Sequence, residues 1–257
     1  MKKQTLIQLI QQSVKMLPDD QAFLADLKAT VAKLNPPRPR SQHYKPSSLH
    51  CLRQMYFDKI QAPIDSSYTE YSFVRISETG TNSHERIQYY VTQMKSCGHP
   101  CDFVDVSAYI EKKKLDYLQV ISKKQYETKL FDTRYDISFL CDGIIYYNDK
   151  YYILEIKTET DDKGIYRESA DPYHEKQSVC YSLSLGINDV MWIYEERNFC
   201  VPKTFITHVT DEQKAQLLIM FDTVEQAVKD LKAPPRTDSK KTCNYCVYKT
   251  VCKQNGR

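Results

Sequence analysis

No stretch of the chain reaches the roughly 18 consecutive apolar residues that a membrane-crossing helix needs, so no membrane partner is expected. The N-terminal run Met1-Lys2-Lys3-Gln4-Thr5-Leu6 has no apolar core leading to a small-residue cleavage site. That points to a cytoplasmic protein, or to the host cytoplasm if the source is viral. An excess of one charge is also missing, since 36 Lys+Arg face 33 Asp+Glu for a net charge of +3. A global field therefore cannot announce nucleic-acid binding, and any such contact must come from a local basic groove. There is no internal repeat and no helicase motif, so any unwinding of a duplex would fall to a partner. What is present suffices for a sizeable core: 41% of the 257 residues are apolar, a length that fits one large domain or one domain with an extension.

Nine cysteines are unevenly placed. Cys97, Cys101, Cys141, Cys180 and Cys200 stand singly among apolar or aromatic neighbours and read as small buried hydrophobes. Cys243, Cys246 and Cys252 cluster near the C-terminus. In a reducing compartment, clustered cysteines favour a metal over a disulfide.

Apolar residues at helical spacing (Leu6, Ile7, Ile10, Val14, Leu17) predict a first helix, which Pro18-Asp19-Asp20 breaks. Phe23, Leu24, Leu27, Val31 and Leu34 predict a second. Asn35-Pro36-Pro37-Arg38-Pro39-Arg40 reads as a stiff basic linker, so residues 1–40 are expected to form a helical extension and 41–257 the main domain. Helices are predicted from Ser47 to about Ile60 and from about Ser83 to Lys95. Residues 115–158, rich in Tyr, Ile, Phe, Val and Thr, read as strands. A helix over 172–185 stops at Gly186, strands follow at Val190–Glu195 and Cys200–Val209, and Thr210 with Gln213 forms a capping box opening a helix to about Lys232. This order predicts a mixed α/β (α+β) domain.

The most informative segment is Cys141–Lys157. Two β-rich runs flank Asn148-Asp149, which suits a two-residue hairpin turn. Such a turn sets Tyr147 against Lys150, and counting outward residue for residue sets Asp142 against Glu155, about 5 Å apart on one face. Lys157, two residues on, shares that face. Two carboxylates and a lysine converging there are costly unless something uses them. A divalent cation relieves the repulsion, and Mg²⁺ takes one or two carboxylates with substrate phosphate. Such an ion polarises a phosphodiester, and Lys157 is placed to orient the attacking water or stabilise charge on phosphate. A solvated outer face of a surface hairpin explains the same spacing.

Asp142, the short hairpin and Glu155-Ile156-Lys157 together resemble the PD-(D/E)XK nuclease signature. Gly80-Thr81-Asn82-Ser83-His84 resembles the upstream Gly-x-x-x-His motif of its RecB-like branch, which includes the CRISPR-associated exonucleases, and Gln177-Ser178-Val179-Cys180-Tyr181 resembles that branch's Gln-x-x-x-Tyr motif. Ser48-Leu49-His50-Cys51-Leu52-Arg53 and the terminal cysteines are similar to its iron–sulfur frame. The resemblance runs from about Ser47 to Cys252 and does not cover the helices before residue 40. It departs from the branch at Ser138-Phe139-Leu140-Cys141, where a glycine often precedes the aspartate.

The resemblance implies a restriction-endonuclease-like core, a mixed sheet flanked by helices. It also implies a metal site of His84, Asp142, Glu155 and the Ile156 carbonyl for Mg²⁺ or Mn²⁺, and catalysis by Asp142, Glu155 and Lys157. By itself, His84 on one helical face with Ile87, Val91 and Met94 reads as a core histidine; the resemblance makes it a ligand, and imidazole suits Mn²⁺ better than Mg²⁺. Gln177 and Tyr181, neighbours on a helix face, would contact the substrate backbone; alone they read as helix surface, and for Tyr173, His174 and Lys176 just upstream phosphate contacts and helix-surface exposure are equal explanations. Cys51, Cys243, Cys246 and Cys252 would hold a [4Fe–4S] cluster, with zinc on the same thiolates as the alternative. The activity implied is 5′→3′ exonucleolytic hydrolysis of single-stranded DNA ends, with a helicase or recombination partner. The rival readings are an endonuclease or helicase-associated subunit, a DNA-end-binding adaptor with a structural cluster, and an iron–sulfur redox protein.

Overall fold

The computed structural model describes residues 18–36, 40–65, 71–160, 166–244 and 246–254. The helix expected over residues 6–17 and the linker residues 37–39 lie outside them. The chain divides into two compact units, one drawn from Met1–Arg38 and Ser66–Glu78, the other from Pro39–Asp65 and Thr79–Arg257. In the first, helix α1 (Asp19–Leu34) buries no residue, and Phe23, Leu24, Leu27 and Leu34 are exposed.

The second unit holds the sheets. After a 3₁₀ turn at Pro46–Ser48 come α2 (Leu52–Lys59) and the long α3 (Tyr71–Gln93), which starts in the first unit. Next follow β1 (Cys101–Val104), α4 (Val106–Lys113), β2 (Leu118–Lys124), β3 (Glu127–Asp132), β4 (Ile137–Cys141), β5 (Gly143–Tyr147) and β6 (Lys150–Glu159). The chain continues with α5 (Pro172–Leu185), β7 (Asp189–Glu196), β8 (Pro202–His208), α6 (Asp211–Lys229), α7 (Lys240–Asn244) and α8 (Lys249–Gln254).

Five strands form a mixed sheet in the order β1-β5-β6-β7-β8, in which only the β6–β7 pair is parallel. A second, antiparallel sheet runs β2-β3-β4. Alternation along the strands makes two cores. Ile144, Ile153, Val190 and Trp192 face the larger one, with Val179, Cys180 and Tyr181 of α5 and Leu217, Phe221 and Val224 of α6. Ile145, Leu154 and Ile156 face the other way, onto Ile87 and Val91 of α3. The fold is thus mixed α/β, with helices on both faces of a mixed sheet.

Asn148 and Asp149 both adopt left-handed backbone, φ 48° and 63°, as a hairpin turn matched to strand twist requires. Helix α5 begins at Pro172 under the Asp171 side chain, which accepts the Tyr173 N–H, and ends at Gly186 with φ 68°. The Thr210–Gln213 capping box is formed in both directions. Three expectations are corrected. The helix from Ser47 is broken, because Cys51 is extended (φ −153°) and caps a helix that starts at Leu52. The helix expected from Ser83 begins at Tyr71 and ends at Gln93; the β-branched, aromatic and glycine content of its first turns conceals it. Cys97 and Cys200 are exposed rather than buried. Cys97 follows the end of α3, and Cys200 turns the chain between β7 and β8 with φ 54°.

Candidate metal centre and cysteine frame

Asp142 is the single residue between β4 and β5, and so joins the two sheets. Continuing the β5–β6 register one residue past Gly143 and Leu154 sets it against Glu155. Continuing the β3–β4 register one residue past Thr128 and Cys141 sets it against Glu127. One carboxylate thus stands opposite an acid in each sheet. The peptide is pinned from both sides: Gln88 Nε2 donates to the Asp142 carbonyl at 2.6 Å, and the Ile156 N–H donates to Asp142 Oδ2 at 2.8 Å. Gly143 follows because nothing larger fits; a Cβ there would lie 2.7 Å from the Phe103 ring.

Asp142, Glu155 and Lys157 share the strand parity of Ile144 and Ile153, so they point toward the larger core and α5. Asp142 is 6% and Glu155 3% exposed. Lys157 Nζ lies 2.5 Å from Glu155 Oε1. Burial pushes the Glu155 carboxyl up, and the Asp142 charge adds to this against the opposing pull of Lys157. Burial also works against the Asp142 carboxylate, but His84, Lys157 and the Ile156 N–H outweigh it and hold that group low. For Lys157, burial opposes the ammonium, yet Glu155 and Asp142 keep it charged.

His84 arrives from the opposite face. Helix α3 packs Ile87 and Val91 beneath the sheet, and His84, one turn earlier, reaches past the end of β5 with Nδ1 3.5 Å from Asp142 Oδ1. Burial lowers its basicity, but the hydrogen bond and charge of Asp142 raise it overall. Glu127 was not among the residues read from the sequence. One atom each of His84, Glu127 and Asp142 lie within 4.8 Å of one another, a group able to hold a metal ion. A β3–β4 register would have found Glu127, but the four-residue loop Thr133–Asp136 fixes no register in the way that Asn148-Asp149 does.

Tyr181 and Gln177 sit one turn apart on α5, with different surroundings. Tyr181 is 6% exposed and packs on Phe139. Burial, then the charges of Glu155 and Asp142, push its hydroxyl well above the usual phenol range. The phenol is thus buried within reach of their charge, while Gln177 is half-buried. His174 is held neutral, lowered to about 4 by burial and by Lys157, with Nδ1 3.0 Å from the Tyr194 hydroxyl. It stacks near Trp192 and Tyr194.

The four cysteines expected together do come together. Cys51, at the head of α2, and Cys243, Cys246 and Cys252 of the tail line one cavity with Arg53, Phe57, Thr242 and Tyr248. Burial raises the Cys246 thiol, and the three other sulfurs raise it further, so all four lie within electrostatic reach. The tail is tied to α2: Tyr248 O–H donates to Asp58 at 2.7 Å, and the buried Arg53 donates to the Pro234 carbonyl at 2.7 Å and to Cys252 Sγ at 3.8 Å. Beside it, Lys241 bonds Asp171 at 3.2 Å and lies over the Tyr173 ring, which stacks on His50. The cysteine frame thus abuts the first turn of α5.

No family model matches the chain, and no curated protein matches it. Among solved structures, the crystal structure of SSO0001 is similar over 92% of this chain and 98% of that chain, with a TM-score of 0.48 and 16% identity. Among the described residues no helix is long and apolar enough to cross a membrane.

Proposed function

We propose that the chain is a metal-dependent deoxyribonuclease of the PD-(D/E)XK type, RecB-like branch, acting 5′→3′ on single-stranded DNA ends. The observation that carries this is the hairpin register: Asp142 and Glu155 fall opposite each other on one buried face, with Lys157 beside them. Isolated acids on a solvated surface hairpin would not be buried, mutually repelling and tied to a buried amine.

Asp142, Glu155, His84 and the Ile156 carbonyl would hold a divalent cation. Mg²⁺ or Mn²⁺ bound there supplies Lewis-acid polarisation of the phosphodiester and acidifies water. The remaining work belongs to the chain. Lys157, held as an ammonium, orients the attacking water and stabilises charge on the phosphate. Gln177 and Tyr181 would position the substrate strand. The donor set fits the ion: two buried carboxylates and one imidazole.

Cys51, Cys243, Cys246 and Cys252 fit a [4Fe–4S] cluster. The four cysteines line one cavity; the resemblance favours a cluster there over one zinc ion on the same thiolates. Its role is structural, clipping the tail to α2.

The test is digestion of end-labelled single- and double-stranded DNA with Mn²⁺, on 5′- and 3′-blocked ends, comparing wild type with Asp142→Ala. Release from free 5′ ends that vanishes in the variant, with DNA binding and brown colour retained, supports the reading. Unchanged cleavage by Asp142→Ala overturns the site. Binding without cleavage by the wild type would make the chain a DNA-end adaptor.

A further inference from the structure

We propose, resting on the nuclease reading above, that His174 is a further catalytic residue: its Nε2–H donates a hydrogen bond to an oxygen of the phosphate under attack, alongside Lys157. The ring's place comes from the parallel β6–β7 pair. There Trp192 stands opposite Glu155 and Tyr194 opposite Lys157, and residues so paired point to one face of the sheet. From the first turn of α5 the imidazole lies nearly parallel to both aromatic rings, 6.4 Å and 26° from Trp192, 5.8 Å and 25° from Tyr194. It therefore covers the stretch of sheet that carries Glu155 and Lys157. The same row of α5 continues with Ser178 and Tyr181, both buried.

Hydrogen bonds fix where the ring proton sits. Tyr194 is 2% exposed, and its oxygen accepts the Asp171 N–H at 3.0 Å. Burial pushes its hydroxyl above the ordinary phenol range, so it keeps its proton and must donate it. The acceptor in reach is His174 Nδ1, also at 3.0 Å. A ring nitrogen that accepts leaves the one proton of a neutral imidazole on the other. Asp171, which caps α5, thus sets the tautomer of His174 through Tyr194.

Nε2 makes no hydrogen bond among the described residues and, unlike His50 Nε2, is not buried without a partner. An ammonium stands nearby: burial first, and then the charge of Lys157, lower the basicity of this ring. One charged donor and one neutral donor on the same face suit an anion between them. A neutral imidazole stabilises charge as it builds on the phosphate and gives up no proton in doing so. Packing alone would be served equally by phenylalanine, which offers no nitrogen.

The experiment is single-turnover cleavage of end-labelled single-stranded DNA with Mn²⁺ by wild type, His174→Phe and His174→Gln, beside isotherms for Mn²⁺ and DNA and thermal melts. His174→Phe keeps the stack and should cleave on the order of 10²-fold more slowly, as loss of one preorganised donor does, with binding and melting temperature near wild type. His174→Gln carries an amide nitrogen to about the place of Nε2 and should recover roughly tenfold of that loss. If the phenylalanine variant folds poorly, His174→Ala replaces it in the comparison with His174→Gln, and the same ratio is expected. Cleavage by His174→Phe as fast as wild type overturns the proposal and leaves the nuclease reading standing. Equal slowing of the donor-bearing and donor-free variants does the same, as does a rate that falls only with the folded fraction or with bound Mn²⁺. A wild type that binds Mn²⁺ and DNA without cleaving brings down both.

Discussion

The Ile156 amide donates to Asp142 Oδ2 at 2.8 Å, just beyond the last residue that β5 pairs with β6. The carboxylate therefore occupies the place of a missing strand carbonyl. It finishes the sheet and turns its other oxygen to His84 Nδ1 at 3.5 Å. Replacing it by asparagine keeps the amide's partner through the side-chain oxygen but removes the charge. Asp142→Asn is expected to fold, with a melting temperature within a few degrees of wild type, and to lose cleavage by on the order of 10³-fold, as loss of a preorganised charge does elsewhere. Thermal melts beside single-turnover cleavage check both halves.

Lys157 is the cation against Glu155 and Asp142, and removing it leaves buried acids unpaired. Lys157→Ala is expected to lower cleavage by roughly 10²- to 10⁴-fold, the range of general acid–base assistance, while Mn²⁺ still binds because it offsets the freed charge. Binding isotherms at fixed pH separate the two effects. Loss of Mn²⁺ binding together with activity would make Lys157 a structural partner of the carboxylates.

Gly143 has no room for a side chain, with the Phe103 ring 2.7 Å from where a Cβ would stand. Gly143→Ala is expected to cost about 1–3 kcal/mol through overpacking and to displace its neighbour Asp142. Adding Phe103→Leu should recover much of both stability and cleavage. Denaturant unfolding of the single and double variants measures this directly.

The two-residue turn is why so much of the site was legible. Asn148-Asp149 fixes one register, and that register brings Asp142, Glu155 and Lys157 together without knowledge of the fold. The helix caps at Thr210 and Gly186 were legible for the same local reason. Glu127 was not, because it meets Asp142 only through a sheet whose other hairpin has a longer loop and whose β2–β3 pair is bulged at Val120 and Ser122. Strand β1 and helix α4 also escaped notice. Four and eight residues are too few to show a period, although Asp105 does cap α4 by accepting the Ala108 N–H. Tyr181 looked like helix surface because four-residue spacing says nothing of which side of a helix faces inward.

Cys51, Cys243, Cys246 and Cys252 line one cavity while far apart in sequence. Losing any one should release iron, bleach the protein and lower stability by about several kcal/mol, since a clip across so long a loop restrains the unfolded chain. Cys246→Ala, purified anaerobically, is expected to show this by iron and sulfide analysis and by a lowered melting temperature. Cleavage should fall in step with the folded fraction. One zinc per wild-type chain without iron would refute the cluster.

Asp171 caps α5 and bonds Lys241 of the tail at 3.2 Å. Burial raises its carboxyl, but the Tyr173 N–H and Lys241 prevail and hold it below the ordinary range. A group depressed in the folded state stabilises above its unfolded value of about 3.9, and that contribution is lost as pH falls through the lower folded value. Asp171→Ala is expected to cost about 1 kcal/mol near neutral pH. Asp171→Asn, which keeps a capping oxygen, should cost less, and its deficit should shrink as pH drops below about 4. Melting temperatures of the three proteins across pH 3–7 test the sign.

With a single residue joining the two sheets, that seam has no spare length. Inserting or deleting one residue there would rotate every side chain of β5 to the opposite side, sending Ile144 toward α3 and Ile145 toward α5. At the other end of β4 the 133–136 loop is held by side chains instead, with Lys59 Nζ 2.6 Å from Asp136 and Arg134 paired to Asp132 at 2.8 Å. One end of β4 is therefore fixed by register and the other by pairing.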